Sequence, residues 1–183
     1  MKRPSVIAVG PLHCWRHPRP HGAQGLCVGR TDLTVDARKA KRLAHRIRRH
    51  ARQAGLVAVL HTSPLRRCRA VADCLQRWGW QVHVDDRLRE FDFGHWDGRA
   101  WSGIGKDEVD AWVDDFIHHR PGRGEAMTEL LQRVASFVGQ HRQACVLSHG
   151  GWLSALLWLR SGQGAPTAAT WPQAPRYGEL RSL

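Results

Sequence analysis

Short β-rich runs alternate with amphipathic helical stretches along most of this chain, and that alternation restricts the folds open to it. An extended run, Leu12 to Trp15, ends at Arg16-His17. The stretch Asp36 to Ala54 has apolar residues at helical spacing, with Thr34 or Asp36 placed to cap its start and Gly55 to end it. A second β-rich run, Leu56 to Leu60, closes on Thr62-Ser63-Pro64. Helical spacing returns over Arg66 to Trp78, and Val82 to Val84 is extended again. Residues 107–119 have weaker helical character. Glu125 to Arg142 carries the clearest helical stripe: Met127, Leu130, Leu131, Val134, Phe137 and Val138 share one face. Ala144 to Leu147 reads as a buried strand, stopped by Ser148-His149-Gly150-Gly151 before an apolar helix, and Tyr177 to Leu183 as a final edge strand. The predicted fold is α/β: a three-layer α/β/α sandwich with a mainly parallel central sheet, in one domain over residues 1–183. In such sheets ligands gather at the carboxyl ends of the strands, and three of those ends carry basic or imidazole side chains.

Charge adds a second constraint. Lys and Arg number 28 against 16 Asp and Glu, a net charge of +12, which points to an anionic partner. Much of it lies between Asp36 and Ala54, whose eight cations avoid the apolar stripe; without interleaved aromatics, that run reads as a solvated helix face, and nucleic acid is not the expected partner. The apolar stretch Trp152 to Leu159 is about half the ~20 residues of a bilayer span, so no membrane is expected. The run Val6 to Val9 after Lys2 and Arg3 is too short for a signal peptide. Five cysteines (Cys14, Cys27, Cys68, Cys74, Cys145) with no C-x-x-C pair suit reduced, packed thiols and a cytoplasmic setting.

Four short motifs carry chemistry. In Arg16-His17-Pro-Arg-Pro20 an imidazole beside a guanidinium suits phosphoryl transfer, with the histidine attacking phosphorus and the arginine holding its oxygens. A metal set drawn from His13, Cys14, His17 and His21 competes, but Pro18 and Pro20 break the helical spacing it needs, so no metal and no cofactor is expected. Ser63-Pro-Leu-Arg66-Arg67-Cys-Arg69 puts three cations in the first turn of a helix, the wrong end of its dipole unless an anion binds there. Leu88-Arg-Glu90-Phe-Asp92-Phe-Gly-His-Trp-Asp97-Gly98 offers Glu90, Asp92 and Asp97 as candidate acids for a leaving alkoxide. Ser148-His149-Gly150-Gly151 sets a histidine at a strand end, with glycines that permit close approach of a ligand.

Together the four motifs resemble the histidine phosphatase (phosphoglycerate mutase-like) superfamily over nearly the whole chain. The resemblance implies that Arg16 binds phosphate and His17 is the phosphohistidine nucleophile. It further implies that Arg67 is a second clamp, Glu90 the acid and His149 a second pocket histidine on the phosphoryl group. Pro121-Gly-Arg-Gly-Glu125 is similar to the family's Pro-Gly-Gly-Glu-Ser helix entrance. Pro18 replaces the usual glycine after the histidine, and Ala23 stands where an asparagine is usual. The run Arg16 to Pro20, then Gly25 to Leu33, resembles the α-ribazole phosphatase branch, implying α-ribazole 5′-phosphate as substrate in assembly of the cobalamin nucleotide loop. Gly29 and Arg30 would then line the mouth with Gly150.

The expected activity is a metal-independent phosphomonoesterase acting on a small phosphorylated metabolite through phospho-His17. Three alternatives share the pattern: a mutase, a broad-specificity or phosphohistidine phosphatase, and a silent arginine-rich anion- or RNA-binding module. The short chain favours hydrolysis over mutase chemistry.

Overall fold

A computed structural model describes residues 11–141 and 143–183 of the chain. The run Val6 to Val9 and the predicted helix end at Arg142 lie outside the described residues. Five strands, β1 (Leu12–Arg16), β2 (Val59–Thr62), β3 (Gln81–Val84), β4 (Ala144–Ser148) and β5 (Leu180–Ser182), form one sheet in the order β3-β2-β4-β1-β5. All neighbours are parallel except β5, which runs antiparallel to β1 at the edge. The helices are α1 (Ala37–Gln53), α2 (Arg66–Arg77), α3 (Lys106–Asp114), α4 (Met127–Gln140) and α5 (Gly150–Ser161).

Period-2 alternation along the central strands builds the three layers. Leu12, Cys14, Ala144 and Val146 face α4 and α5, packing with Leu130, Phe137, Trp152 and Leu156. Trp15, Cys145 and Leu147 face α1 and α2, packing with Leu43, Ile47, Val71 and Leu75. The basic helix forms because the burial term wins. Burying Leu43 and Ile47 contributes about 1.5–3 kcal/mol each, while like-charge neighbours on an exposed helix face cost only a few tenths of that per pair. Asp36 caps it by accepting from the Lys39 N–H at 2.8 Å.

The observed elements match the predicted fold class, with shifted boundaries. Strand β2 begins at Val59 rather than Leu56, because the Leu56 N–H bonds back to Ala51 O and finishes the preceding helix. Helix α4 starts at Met127 rather than Glu125, whose carboxylate is drawn instead to Arg133 at 2.6 Å. Helix α3 stops at Asp114, short of the predicted 119.

The position of the site follows from the connections. Neighbouring parallel strands β1 and β4 send the chain to opposite faces, β1 toward α1 and β4 into α5. In sheets of this kind such a switch sets the ligand site beyond the two carboxyl ends, where Arg16-His17 and Ser148-His149 lie.

Candidate active site

His17 follows β1 directly and is only 3% exposed. Its Nδ1 lies 2.6 Å from the Pro18 carbonyl oxygen, which can only accept, so Nδ1 carries the proton and Nε2 the free lone pair. Burial, then the charges of Arg67 and Arg16, hold its pKa well below the usual 6.5. The ring is therefore neutral near pH 7 and nucleophilic at Nε2.

The ring centroid of His149 lies 4.9 Å from that of His17. His149 is fully buried, and burial together with Arg67 holds its pKa well down too. Arg67 Nε donates to His149 Nδ1 at 3.1 Å, which leaves Nε2 protonated toward the Ser63 hydroxyl at 2.7 Å. Arg67 also donates through Nη1 to Thr31 O (2.8 Å) and through Nη2 to Gly29 O (2.6 Å). Of its five N–H bonds, two remain for a ligand. The other two cations of that helix turn lie elsewhere: Arg66 is exposed, with its backbone N–H capped by Asp32, and Arg69 pairs with Asp73. The anion expected at the start of α2 is thus partly a carboxylate of the protein itself.

Arg16 is held from two sides. Its Nη1 donates to Pro175 O at 2.7 Å, and its Cζ stands 4.0 Å from the centre of the Tyr177 ring. Its Nε is buried with no partner among the described residues, a donor beside His17 that lacks an acceptor. The two glycines after His149 leave room for protein groups. A Cβ on Gly150 would lie 3.0 Å from Arg16 Cζ, and one on Gly151 would lie 2.7 Å from Glu90 Oε1. Glu90 accepts the N–H groups of Phe91, Gly151 and Trp152, which anchors its carboxylate at the start of α5. Arg16, His17, Arg67, Glu90 and His149 thus converge.

The rival acids are placed elsewhere. Asp97 accepts the consecutive N–H groups of Gly29, Arg30 and Thr31 and the Thr31 hydroxyl, stapling that loop. Asp92 accepts from Gly94 N at 2.9 Å and faces Arg30. Two mouth residues also read differently in the structure. Gly29 is buried, with its N–H committed to Asp97 and its carbonyl to Arg67, so it supports the clamp from behind. Arg30 turns its side chain to Asp92 and Glu125, 4.0 Å from each. The sequence-proposed metal set is dispersed: His13 bonds His50, while Cys14 lies on the opposite face of β1. Among the described residues no group of three or more His, Cys, Asp or Glu is arranged to hold a metal ion.

The sequence signature of the histidine phosphatase superfamily (branch 1) matches residues 12–179. The chain belongs to the histidine phosphatase superfamily. The chain is 32% identical over 99 residues to the adenosylcobalamin/alpha-ribazole phosphatase of Escherichia coli, a match covering 49% of this chain and 48% of that protein. The alpha-ribazole phosphatase of Shigella flexneri superposes with a TM-score of 0.75 at 25% identity, over 93% of this chain and 88% of that one. A phosphoglycerate mutase of Thermus thermophilus superposes with a TM-score of 0.68 at 25% identity, over 94% and 92%. The chain spans about half to two thirds of the length of the curated relatives it matches.

Tyr177 and Arg133 of this site escaped the sequence reading, and Asp97 was offered there only as an acid. Tyr177, the only tyrosine, supports Arg16 and lies 5.6 Å ring to ring from His17. Asp97 staples the loop that Arg67 grips. Arg133 donates to the carbonyls of Arg87, Arg89 and Glu90 while paired with Glu125, so it fixes the segment bearing Glu90.

Proposed function

We propose that this protein is a metal-independent phosphomonoesterase that works through phospho-His17. The observation that carries the reading is a buried, neutral, Nδ1-protonated His17 set among Arg16, Arg67 and His149. In the first step Nε2 forms a bond to phosphorus as the P–O ester bond breaks. Glu90, which takes up a proton as the phosphate dianion binds beside it, gives that proton to the leaving alkoxide. Charge spreading over the equatorial oxygens is met by Arg16 and by the two free N–H bonds of Arg67, whose guanidinium His149 holds in place through Nδ1. In the second step Glu90, now a carboxylate, takes a proton from water as the water oxygen attacks phosphorus. The N–P bond breaks and inorganic phosphate leaves.

For substrate, α-ribazole 5′-phosphate is the first reading, supported by the Arg16-to-Leu33 run and by the two relatives named for that activity. It would place the enzyme in assembly of the cobalamin nucleotide loop, in the cytoplasm, a setting consistent with five buried cysteines in thiol form. Among the described residues no helix is long and apolar enough to cross a membrane. A phosphorylated acid, handled by a phosphatase or a mutase, is the second reading, favoured by unpaired cations beside Tyr177.

Phosphate release from α-ribazole 5′-phosphate, with rapid-quench trapping of an acid-labile phosphoenzyme, tests the mechanism. His17→Ala is expected to lose both signals, with turnover down more than about 10⁴-fold and the fold unchanged by circular dichroism. Turnover that survives in His17→Ala overturns the mechanism, and activity lost on adding a chelator would return a metal to it.

A further inference from the structure

The most basic helix of the chain matched no catalytic motif, yet α1 turns Lys39, Arg42 and Arg46 into a cleft of about 690 Å³ that also holds Arg19 and Tyr177. Through Arg46, Tyr177 and Gly178 this cleft joins a second, of about 1140 Å³, that carries Arg176 and Arg181. The joined groove meets the catalytic group at Tyr177, whose ring bears Arg16 on one side and approaches His17. Pro18 and Arg19 continue the chain from the nucleophile into the same wall.

Its charge is one-sided. Arg19, Lys39, Arg42, Arg46 and Arg176 are exposed, and among the described residues none has a salt bridge. Glu179 is the one carboxylate in the lining, and it is paired with Arg181 at 2.7 Å. A phosphomonoester dianion already meets Arg16 and Arg67 inside the pocket. Five more uncompensated cations along one groove form a field that an uncharged alcohol would leave unanswered.

We propose that this groove is the leaving-group subsite, and that it takes phosphomonoesters whose alcohol portion carries its own anion, a carboxylate or a second phosphate. The inference rests on the phospho-His17 reading for its chemistry and on the groove alone for its selectivity. It develops the second of the two substrate readings, since the leaving group of α-ribazole 5′-phosphate, the reading drawn from the sequence and the relatives, is uncharged.

The test uses matched pairs on the full chain: 3-phosphoglycerate against glycerol 3-phosphate for a carboxylate, and fructose 1,6-bisphosphate against fructose 6-phosphate for a second phosphate. The anion-bearing member of at least one pair is expected to have a kcat/KM about tenfold higher or more, with the ratio shrinking as added salt screens the groove. The pair that responds identifies which anion is read. Lys39→Gln with Arg42→Gln should bring the ratio toward one. Arg49→Gln with Arg52→Gln, the same charge change on another flank of α1, should leave it in place. Ratios near one in the unmodified protein, or a preference untouched by the Lys39 and Arg42 substitutions, overturn the subsite. If no phosphomonoester is turned over, the phospho-His17 reading fails. Calorimetric binding of the same pairs then decides the subsite, and equal affinities within each pair overturn it.

Discussion

At Gly29 a Cβ would lie 2.1 Å from the Phe91 carbonyl oxygen and 2.9 Å from an oxygen of Asp97, with backbone on one side and a committed carboxylate on the other. Neither neighbour can retreat without moving the loop whose carbonyls hold Arg67. Gly29→Ala is therefore expected to lower kcat/KM by roughly 100-fold, the cost of misplacing a catalytic group by about 1 Å. It should also cost about 1–3 kcal/mol of stability through overpacking. Gly139→Ala, inside α4 where a Cβ meets nothing within 4 Å, should leave kcat/KM unchanged and raise stability by up to about 1 kcal/mol. Steady-state kinetics and denaturant midpoints on the two variants check this, and an active Gly29→Ala protein would show that Arg67 does not need that loop. At this scale the motifs placed Arg16, His17 and His149 at strand ends, while Arg67 among three arginines and Glu90 among three acids were singled out by the family resemblance. Tyr177 was hidden because its role comes from a contact 161 positions away, and Asp97 was read as an acid rather than a staple because its partners lie 66 to 68 positions away.

Where β2 and β3 run side by side near the end of α4, three imidazoles meet. His61 lies 5.2 Å ring to ring from His83 and 4.2 Å from His141. Burial first, then the neighbouring histidines, lower the His61 pKa to about 4 from its ordinary 6.5. The folded protein keeps this ring neutral while the unfolded chain protonates it, so the unfolded state binds more protons between those two values. Stability is thus expected to fall as pH drops from about 6.5 to about 4. His61→Asn should flatten that slope by up to about one proton, read from urea midpoints at several pH values. An unchanged slope would assign the acid sensitivity to other groups. The strands and helices themselves were legible from periodicity: the α1 stripe, the α4 face and the Ala144-to-Leu147 run all lie where the pattern put them. Their ends were less so, because capping contacts such as Leu56 to Ala51 and Glu125 to Arg133 are settled by neighbours that periodicity does not register.

Both hydrophobic cores use opposite faces of the same two strands, β1 and β4, so neither can open while the other stays intact. Calorimetry should accordingly show one transition, with calorimetric and van't Hoff enthalpies in agreement. Two separable transitions would mean that the α1–α2 layer and the α4–α5 layer are independent units. The sandwich was readable because alternating elements admit few arrangements. The switch of direction between β1 and β4 was not, since strand order depends on pairings across the whole chain. Those long-range pairings also govern when the enzyme comes into being. The pocket joins residues 16–17 to 148–149 and to 175–178, where the Gly178 N–H reaches the carbonyls of Arg16 and His17 and Pro175 O holds Arg16. Pro175, which holds Arg16, follows it by 159 positions. The pocket is therefore complete only after that later stretch has been translated and has folded back onto β1.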